Sequence, residues 1–436
     1  MLDLLELTPT TDDGLLDSGI SLADREGGRS PYAGTYALPI RGWALGLTGP
    51  LTIEARHGVD VVQRTLTSLP SPEVAGRYAD LPSAASCAFQ LVIGTLELPL
   101  DFQLDIVAVG QDGSESSVGR VRGRRQPLDI KTAAGDPQPL LITTLGRSGS
   151  EWLRLLLSKH PDIVAYRPLQ SETRLGDYWI GVLTGLAAPQ SYMQALFCQN
   201  YDQYWWIGDE RPGPLPLVVA DEVAPQWLGR EHVHALAEFC RDRISAFYRD
   251  LAEREGRTSS RYFAEKVAPN AKSHLLQELY PDARELVLVR DLRDMVCSIT
   301  DYNARRGFEL WGRKEVTDRE WLELLRDQSV RMLKSWKAGA ALVRYEDLIT
   351  DQLGTLGTIF SWLGLAHDPA LLSEIAAKAK ETLPMAQGIH RTSSSVEQSI
   401  GRWKLDLDVE WQIACSATFD DVLEEWGYEP TITFLR

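Results

Sequence analysis

The sequence predicts a small antiparallel β-sandwich followed by an α/β domain, in which a parallel sheet is flanked by helices. Three observations predict it. Short runs of alternating apolar and polar residues fill the stretch before residue 125. From residue 139 onward, apolar strand-like runs alternate with long helix-period segments. A Pro-, Ala- and Asp-rich stretch separates the two textures.

Residues 1–30 read as a polar lead-in with little periodicity. Residues 31–125 are the expected accessory β domain, with strand-like runs at Leu51–Arg56, Val59–Val62, Phe89–Ile93 and Phe102–Val109. Gly, Pro and Asp clusters punctuate them, and the Asp112-Gly113 pair marks a hairpin after the last long run. Residues 126–138 are the expected linker, and residues 139–436 the second domain. Its expected strands are Leu140–Thr144, Tyr262–Glu265, Glu285–Val289 and Ala341–Arg344. Near-continuous apolar strands of this kind suit a parallel sheet covered on both faces.

Composition narrows the function. With 44% apolar and 24% charged residues, the 436-residue chain is globular in character and long enough for two domains. No stretch approaches the roughly 18–20 apolar residues of a membrane span. The N-terminus carries acids where a secretory signal carries Lys or Arg, so a cytoplasmic location is expected. Cys87, Cys198, Cys240, Cys297 and Cys415 show neither CxxC pairing nor metal-ligand spacing, and no metal site is expected. A net charge of −16 disfavours nucleic acid as partner, while leaving room for a local basic pocket.

Two stretches carry chemistry. In LLITTLGRSGSEWLRLLLSKHP, residues 140–161, an apolar strand runs through Leu145-Gly146-Arg147-Ser148-Gly149-Ser150 into a helix. A Gly/Ser turn at a helix N-terminus gathers free N–H groups and the positive end of the dipole. Arg147 and the Ser148 and Ser150 hydroxyls add to an anion site. Ordinary α/β turns share part of this pattern, and Glu151 in the first helical turn also suits the dipole alone. The GxxxxGK[ST] spacing of nucleotide triphosphatases is absent. In RELVLVRDLRDMVCSIT, residues 284–300, a strand ends at Arg290, and Ser298 follows two helical turns later. Arg and Ser together at the carboxyl edge of a sheet suit a second phosphate, although Arg290-Asp291 alone could be a local ion pair.

Taken together and in order, these motifs resemble those of the PAPS-dependent sulfotransferases (PAPS is 3′-phosphoadenosine 5′-phosphosulfate). The likeness is to the branch containing protein-tyrosine sulfotransferases and bacterial relatives, and it covers about Pro139 to Trp426. It implies the P-loop-like sulfotransferase fold. GRSGSEWLRLLLSKHPDI is similar to the family's 5′-phosphosulfate loop, which assigns Gly146, Arg147, Ser148, Gly149, Ser150, Glu151 and Trp152 to the donor. LVLVRDLRDMVCSI resembles the 3′-phosphate strand and helix, with Arg290 and Ser298 as ligands. LVRYEDLITDQLGTLGTIFSWLGL places Tyr345 near the adenosine. SIGRWK, with Arg402 and Trp403, is similar to a C-terminal segment that closes over the nucleotide.

For catalysis the resemblance implies Arg147, Lys266 near the bridging oxygen, and Glu172 as general base. An insertion after His160-Pro161 shifts the register at Glu172, and a plain ion-paired carboxylate is the other reading there. A solvated strand-end lysine is the other reading of Lys266, and His160 suits a structural role at a helix end. PAPS is the implied donor and PAP (3′,5′-adenosine bisphosphate) the product, with no metal. The aromatic stretch from Tyr178 to Trp206 is a candidate acceptor wall or helical packing. A weak likeness of the β domain, including Gly42-Trp43-Ala44-Leu45, to modules of surface-glycan enzymes tilts the expected acceptor toward a carbohydrate or glycolipid. A P-loop-type small-molecule kinase and a non-catalytic nucleotide- or glycan-binding module are the alternatives.

Overall fold

The structure is a computed structural model. It describes residues 2–10, 14–22, 36–47, 49–131, 135–166, 174–187, 230–257, 260–269, 273–314, 316–382, 392–393 and 395–430. The chain divides into two compact units. One comprises Met1–Lys131 with Ile180–Cys240, the other Thr132–Trp179 with Arg241–Arg436.

The first unit is a sandwich of two antiparallel sheets. Its elements are β1 (Leu2–Pro9), β2 (Asp17–Leu22), β3 (Ala37–Leu45), β4 (Thr52–His57), β5 (Asp60–Leu66), α1 (Pro72–Arg77), β6 (Ala88–Gly94), β7 (Asp101–Val109) and β8 (Glu115–Arg125). One sheet runs β1-β8-β7-β4-β5 and the other β2-β3-β6. Alternation along each strand builds the core: Phe102, Leu104, Ile106 and Ala108 of β7 face Ile40 and Ala44 of β3 and Phe89, Leu91 and Ile93 of β6. The hairpin expected at Asp112-Gly113 joins β7 to β8, with Gly113 at φ +81° and Asp112 accepting from Ser114 N.

One point differs from the sequence reading. The first 30 residues, expected as a lead-in, contribute β1 and β2, which pair with β8 and β3. Cross-strand pairing compensates for weak periodicity there; Glu6, for instance, stands opposite Arg122. The basic run at residues 120–125 alternates along β8. Arg120 and Arg124 pair with Asp105 and Asp101 at 2.7 and 2.5 Å on the solvent side. Arg125 turns inward, and its Nε donates to Leu98 O at 2.6 Å.

The remaining elements are β9 (Gln138–Thr143), α2 (Ser150–Leu157), β10 (Ile163–Val164), α3 (Leu175–Ala187), α4 (His232–Arg254), β11 (Tyr262–Val267), α5 (Ser273–Leu279), β12 (Arg284–Val289), α6 (Leu292–Arg306), α7 (Asp318–Lys337), β13 (Ala341–Arg344), α8 (Tyr345–Thr350), α9 (Gln352–Trp362), α10 (Pro369–Thr382), α11 (Trp403–Asp406) and α12 (Val409–Glu425). The second unit's sheet is wholly parallel, in the order β10-β11-β9-β12-β13. The first strand, β9, is therefore central, and the chain reaches its two flanks in opposite directions. Open sheets of this kind bind ligands at the carboxyl ends of such strands.

Both faces of this sheet are covered. Leu286 and Leu288 of β12 pack with α2, α9 and α10, while Val287 and Val289 pack with α6, α7 and α12. The helices start where the sequence supplies caps. Asp291 accepts from Arg293 N at the head of α6, and Thr317 and Glu320 form a reciprocal capping box on α7. Gly307 at φ +73° ends α6. Among the described residues, no helix is long and apolar enough to cross a membrane.

Candidate active site

Strand β9 delivers the chain into a loop, residues 144–149, that opens onto the N-terminus of α2. Gly149 at φ +83° is its N-cap and offers no side chain for the first-turn N–H groups. Those groups stay directed at whatever lies beyond the strand end. The two glycines of the loop have steric reasons. A Cβ on Gly149 would collide with the Tyr345 ring, and one on Gly146 with the Trp311 indole. Ser148 is buried, donates to Leu145 O at 2.9 Å, and lies 2.5 Å from Thr144 Oγ1, so it braces the loop from within. Ser150 is buried in the first turn of α2. Glu151 ion-pairs with Arg154 at 2.8 Å, and Trp152 packs on the core.

Arg147 stands between them in the left-handed region, at φ +66°. Among the described non-glycine residues only Trp311, at φ +55°, shares that conformation. Such backbone costs roughly 1–3 kcal/mol and is found where a structure over-determines it. At Trp311 the constraint is visible: its carbonyl accepts from the buried Trp321 Nε1 at 2.9 Å. The Arg147 guanidinium lies 4.9 Å from the Tyr302 ring centre, and its Nε donates to Ser298 Oγ at 3.1 Å.

Arg290, at the end of the neighbouring strand β12, reaches the same loop. Its Nη1 donates to Arg147 O at 2.8 Å and its Nη2 to Ser399 O at 2.7 Å, while its plane lies 4.7 Å from the Tyr345 ring centre. Its buried Nε has no hydrogen-bond partner among the described residues. Tyr345 OH completes the corner 2.9 Å from Ser399 Oγ. Burial, and then the neighbouring Arg290, push the Arg147 guanidinium down to about 10. Two cations brought together in partly buried surroundings oppose each other's charge, and an anion between them relieves both.

The structure thus brings Gly146, Arg147, Ser148, Gly149, Ser150, Arg290, Ser298 and Tyr345 to one sheet edge. Arg402 joins through Thr392, its Nη1 lying 3.4 Å from Thr392 Oγ1, which is 3.1 Å from Ser298 Oγ. It is also paired with Asp301 and Asp406. Trp403 is buried under the Arg293 guanidinium, 4.0 Å from its ring centre, and anchors the segment. Lys266 is half-buried on β11, level with Ile142 of β9 and one residue before the strand end. Glu172 and most of the aromatic stretch from Tyr178 to Trp206 lie outside the described residues.

His160 is structural: its Nδ1 accepts from Asp162 N at 3.1 Å, which leaves Nε2–H to donate to Ala366 O at 3.0 Å. Sequence reasoning missed several neighbours of the site. Tyr302, Trp311 and Thr392 carry no motif, and only the fold brings them in; Ser399 heads the SIGRWK segment, but only the fold shows that it meets Arg290 and Tyr345. Asp294 and Glu265 were legible as acids flanking assigned residues. Glu265, fully buried beside Lys266, accepts from Tyr248 OH, Leu175 N (3.0 Å) and Gly176 N (2.9 Å), and burial pushes its carboxyl up to about 7.

A family model described as the sulfotransferase family matches residues 139–369, just over half of the chain. Among curated proteins no sequence matches. Several solved structures are similar at low identity. The sulfotransferase domain from the curacin biosynthetic pathway is 16% identical, with a TM-score of 0.37, covering 67% of this chain and 99% of its own. The sulfotransferase domain of the Synechococcus PCC 7002 olefin synthase is 18% identical, with a TM-score of 0.36, covering 70% and 98%. A mouse sulfotransferase complexed with PAP is 12% identical, with a TM-score of 0.34, covering 66% and 84%.

Proposed function

Since this chain belongs to the sulfotransferase family, we propose that it moves a sulfuryl group from PAPS to an acceptor hydroxyl on a carbohydrate or glycolipid. The observation that carries the donor reading is the meeting of Arg147 and Arg290 at one loop, where Arg290 Nη1 donates to the Arg147 carbonyl at 2.8 Å. Two guanidinium groups, two serine hydroxyls and a helix N-terminus at one sheet edge suit a ligand bearing phosphates at two positions. The Arg290 Nε, without a partner among the described residues, and the mutual opposition of the two cations fit such a ligand.

PAPS would supply an activated sulfuryl group, whose S–O bond to phosphate breaks with the electron pair left on the phosphate oxygen while a new S–O bond forms to the acceptor. The residues then divide the work. Arg147 and the N–H groups at the head of α2 offset the negative charge gathering on the leaving phosphate. Lys266 serves the bridging oxygen. Arg290 and Ser298 hold the 3′-phosphate, and Tyr345 borders the adenosine. Glu172 takes the acceptor's proton. Catalysis of this loose transfer consists mainly of positioning and charge stabilisation. The acceptor reading rests on the sequence likeness of the β domain to modules of glycan enzymes.

A thermal-shift comparison of PAP, ATP and NAD tests the donor class. Selective stabilisation by PAP is expected, because a ligand that binds only the folded state raises its melting temperature. Selective response to ATP with Mg²⁺ would move the reading to a small-molecule kinase, and no response to a non-catalytic module. Transfer of labelled sulfate from PAPS to an array of glycans, glycolipids, phenols and tyrosyl peptides tests the acceptor. Labelling confined to phenols or peptides would overturn the carbohydrate reading.

A further inference from the structure

The turn from Ser399 to Trp403 crosses the head of α6, and most of its backbone contacts there run to one side chain. Gly401 N donates to Asp294 Oδ2 at 2.7 Å, and Trp403 N donates to Asp294 Oδ1 at 2.9 Å. Gly401 is left-handed at φ +69°, and Arg402 follows at φ −61°, ψ −26°. Left- and right-handed residues in succession turn their N–H groups toward one side and form a small anion-binding concavity. Here the Asp294 carboxylate fills it. Asp294 is fully buried, and a buried carboxylate is costly unless donors compensate.

What the turn carries makes this expense meaningful. Ser399 O accepts from Arg290 Nη2 at 2.7 Å, and Ser399 Oγ meets Tyr345 OH. Arg402, between the two amides bound to Asp294, reaches Thr392 and through it Ser298, the hydroxyl that receives Arg147 Nε. Trp403 closes the turn by stacking under Arg293. A shift of the Gly401 and Trp403 amides would therefore move the groups around Arg290 and Ser298 together.

We propose that Asp294 is a positioning residue of the donor site, holding the Ser399–Trp403 turn so that Ser399 and Arg402 stay set against Arg290 and Ser298. The role rests on the reading of that site as the PAPS pocket. Both of its oxygens are engaged by amides of the turn, through which it acts. Burial and the nearby Asp291 push its carboxyl up to about 7, so the test is run at pH 8, where it is ionised.

The test compares the full-length wild type with Asp294→Asn, using PAP in calorimetry and PAPS in steady-state kinetics. Losing one charge-assisted hydrogen bond should weaken PAP binding roughly tenfold or more. KM for PAPS should rise in step while kcat at saturation stays within a few-fold, and amide exchange at Gly401 and Trp403 should accelerate relative to the middle of α6. Unchanged PAP affinity, or a fall in kcat at unchanged KM, would overturn the role. If Asp294→Asn melts below the assay temperature, Asp294→Glu carries the same readouts, because it keeps the charge and displaces the turn. Failure of the wild type to bind PAP sinks the donor reading, and the positioning role with it; wild-type binding with an indifferent variant sinks only the latter.

Discussion

Arg290 has the most to lose at the residue scale, because its fork joins the loop after β9, the C-terminal turn and the Tyr345 ring. Arg290→Ala should weaken PAP binding by about 10- to 100-fold, the range set by one or two charge-assisted hydrogen bonds. Calorimetry checks this, and an unaltered dissociation constant would remove Arg290 from the donor site. Gly149 is constrained differently. It combines φ +83° with a position where any Cβ meets the Tyr345 ring. Gly149→Ala should cost roughly 1–3 kcal/mol in stability, with a loss of PAP affinity as the loop moves away. Denaturant titration with and without PAP separates the two effects; a variant as stable as wild type would show that Tyr345 yields freely. Both residues stood out in the sequence, Arg290 by its place after a strand and Gly149 by its place before a helix. Tyr345 as the neighbour common to both did not, because the contact spans half the domain.

Among the elements, the β9–loop–α2 unit and the β12–α6 unit carry the site, and their parallel pairing sets Arg147 beside Arg290. Helix α7 supports them indirectly, since its Trp321 holds the Trp311 carbonyl and Trp311 lies against Gly146. The start of α7 is secured by the box of Thr317 and Glu320. Thr317→Ala should lower stability by about 1 kcal/mol, the usual worth of such a cap. PAP affinity should hold, because α7 is also packed through Trp321, Leu322 and Leu325. Equilibrium denaturation reads the first expectation and calorimetry the second; a large loss of PAP binding would mean that the Trp311 loop depends on the cap.

At the scale of the whole molecule, two buried carboxyls give an unusual pH dependence. Glu265 and Asp294 are each pushed up to about 7, from ordinary values of 4.5 and 3.8, chiefly by burial. The folded protein therefore holds protons that the unfolded chain has released. Stability from this source is full below the ordinary values and is lost as pH rises through about 7. The unfolding midpoint of the α/β unit should rise between pH 8 and pH 5.5, and the rise should shrink in Glu265→Gln; a flat profile in the wild type would refute the shifts. By itself the sequence determined the parallel α/β fold, the sandwich strands β4, β5, β6 and β7, and the two arginine- and serine-bearing strand ends. These are local signals, because apolar period, glycine placement and cap chemistry act within a few residues of one another. Only the tertiary structure decided the pairing of β1 and β2 into the sandwich, the left-handed Arg147 against Tyr302 and Trp311, and the hold of Asp294 on a turn more than 100 residues away. Such contacts arise from burial and hydrogen-bond demand between segments distant in the chain, and no spacing along the sequence encodes them.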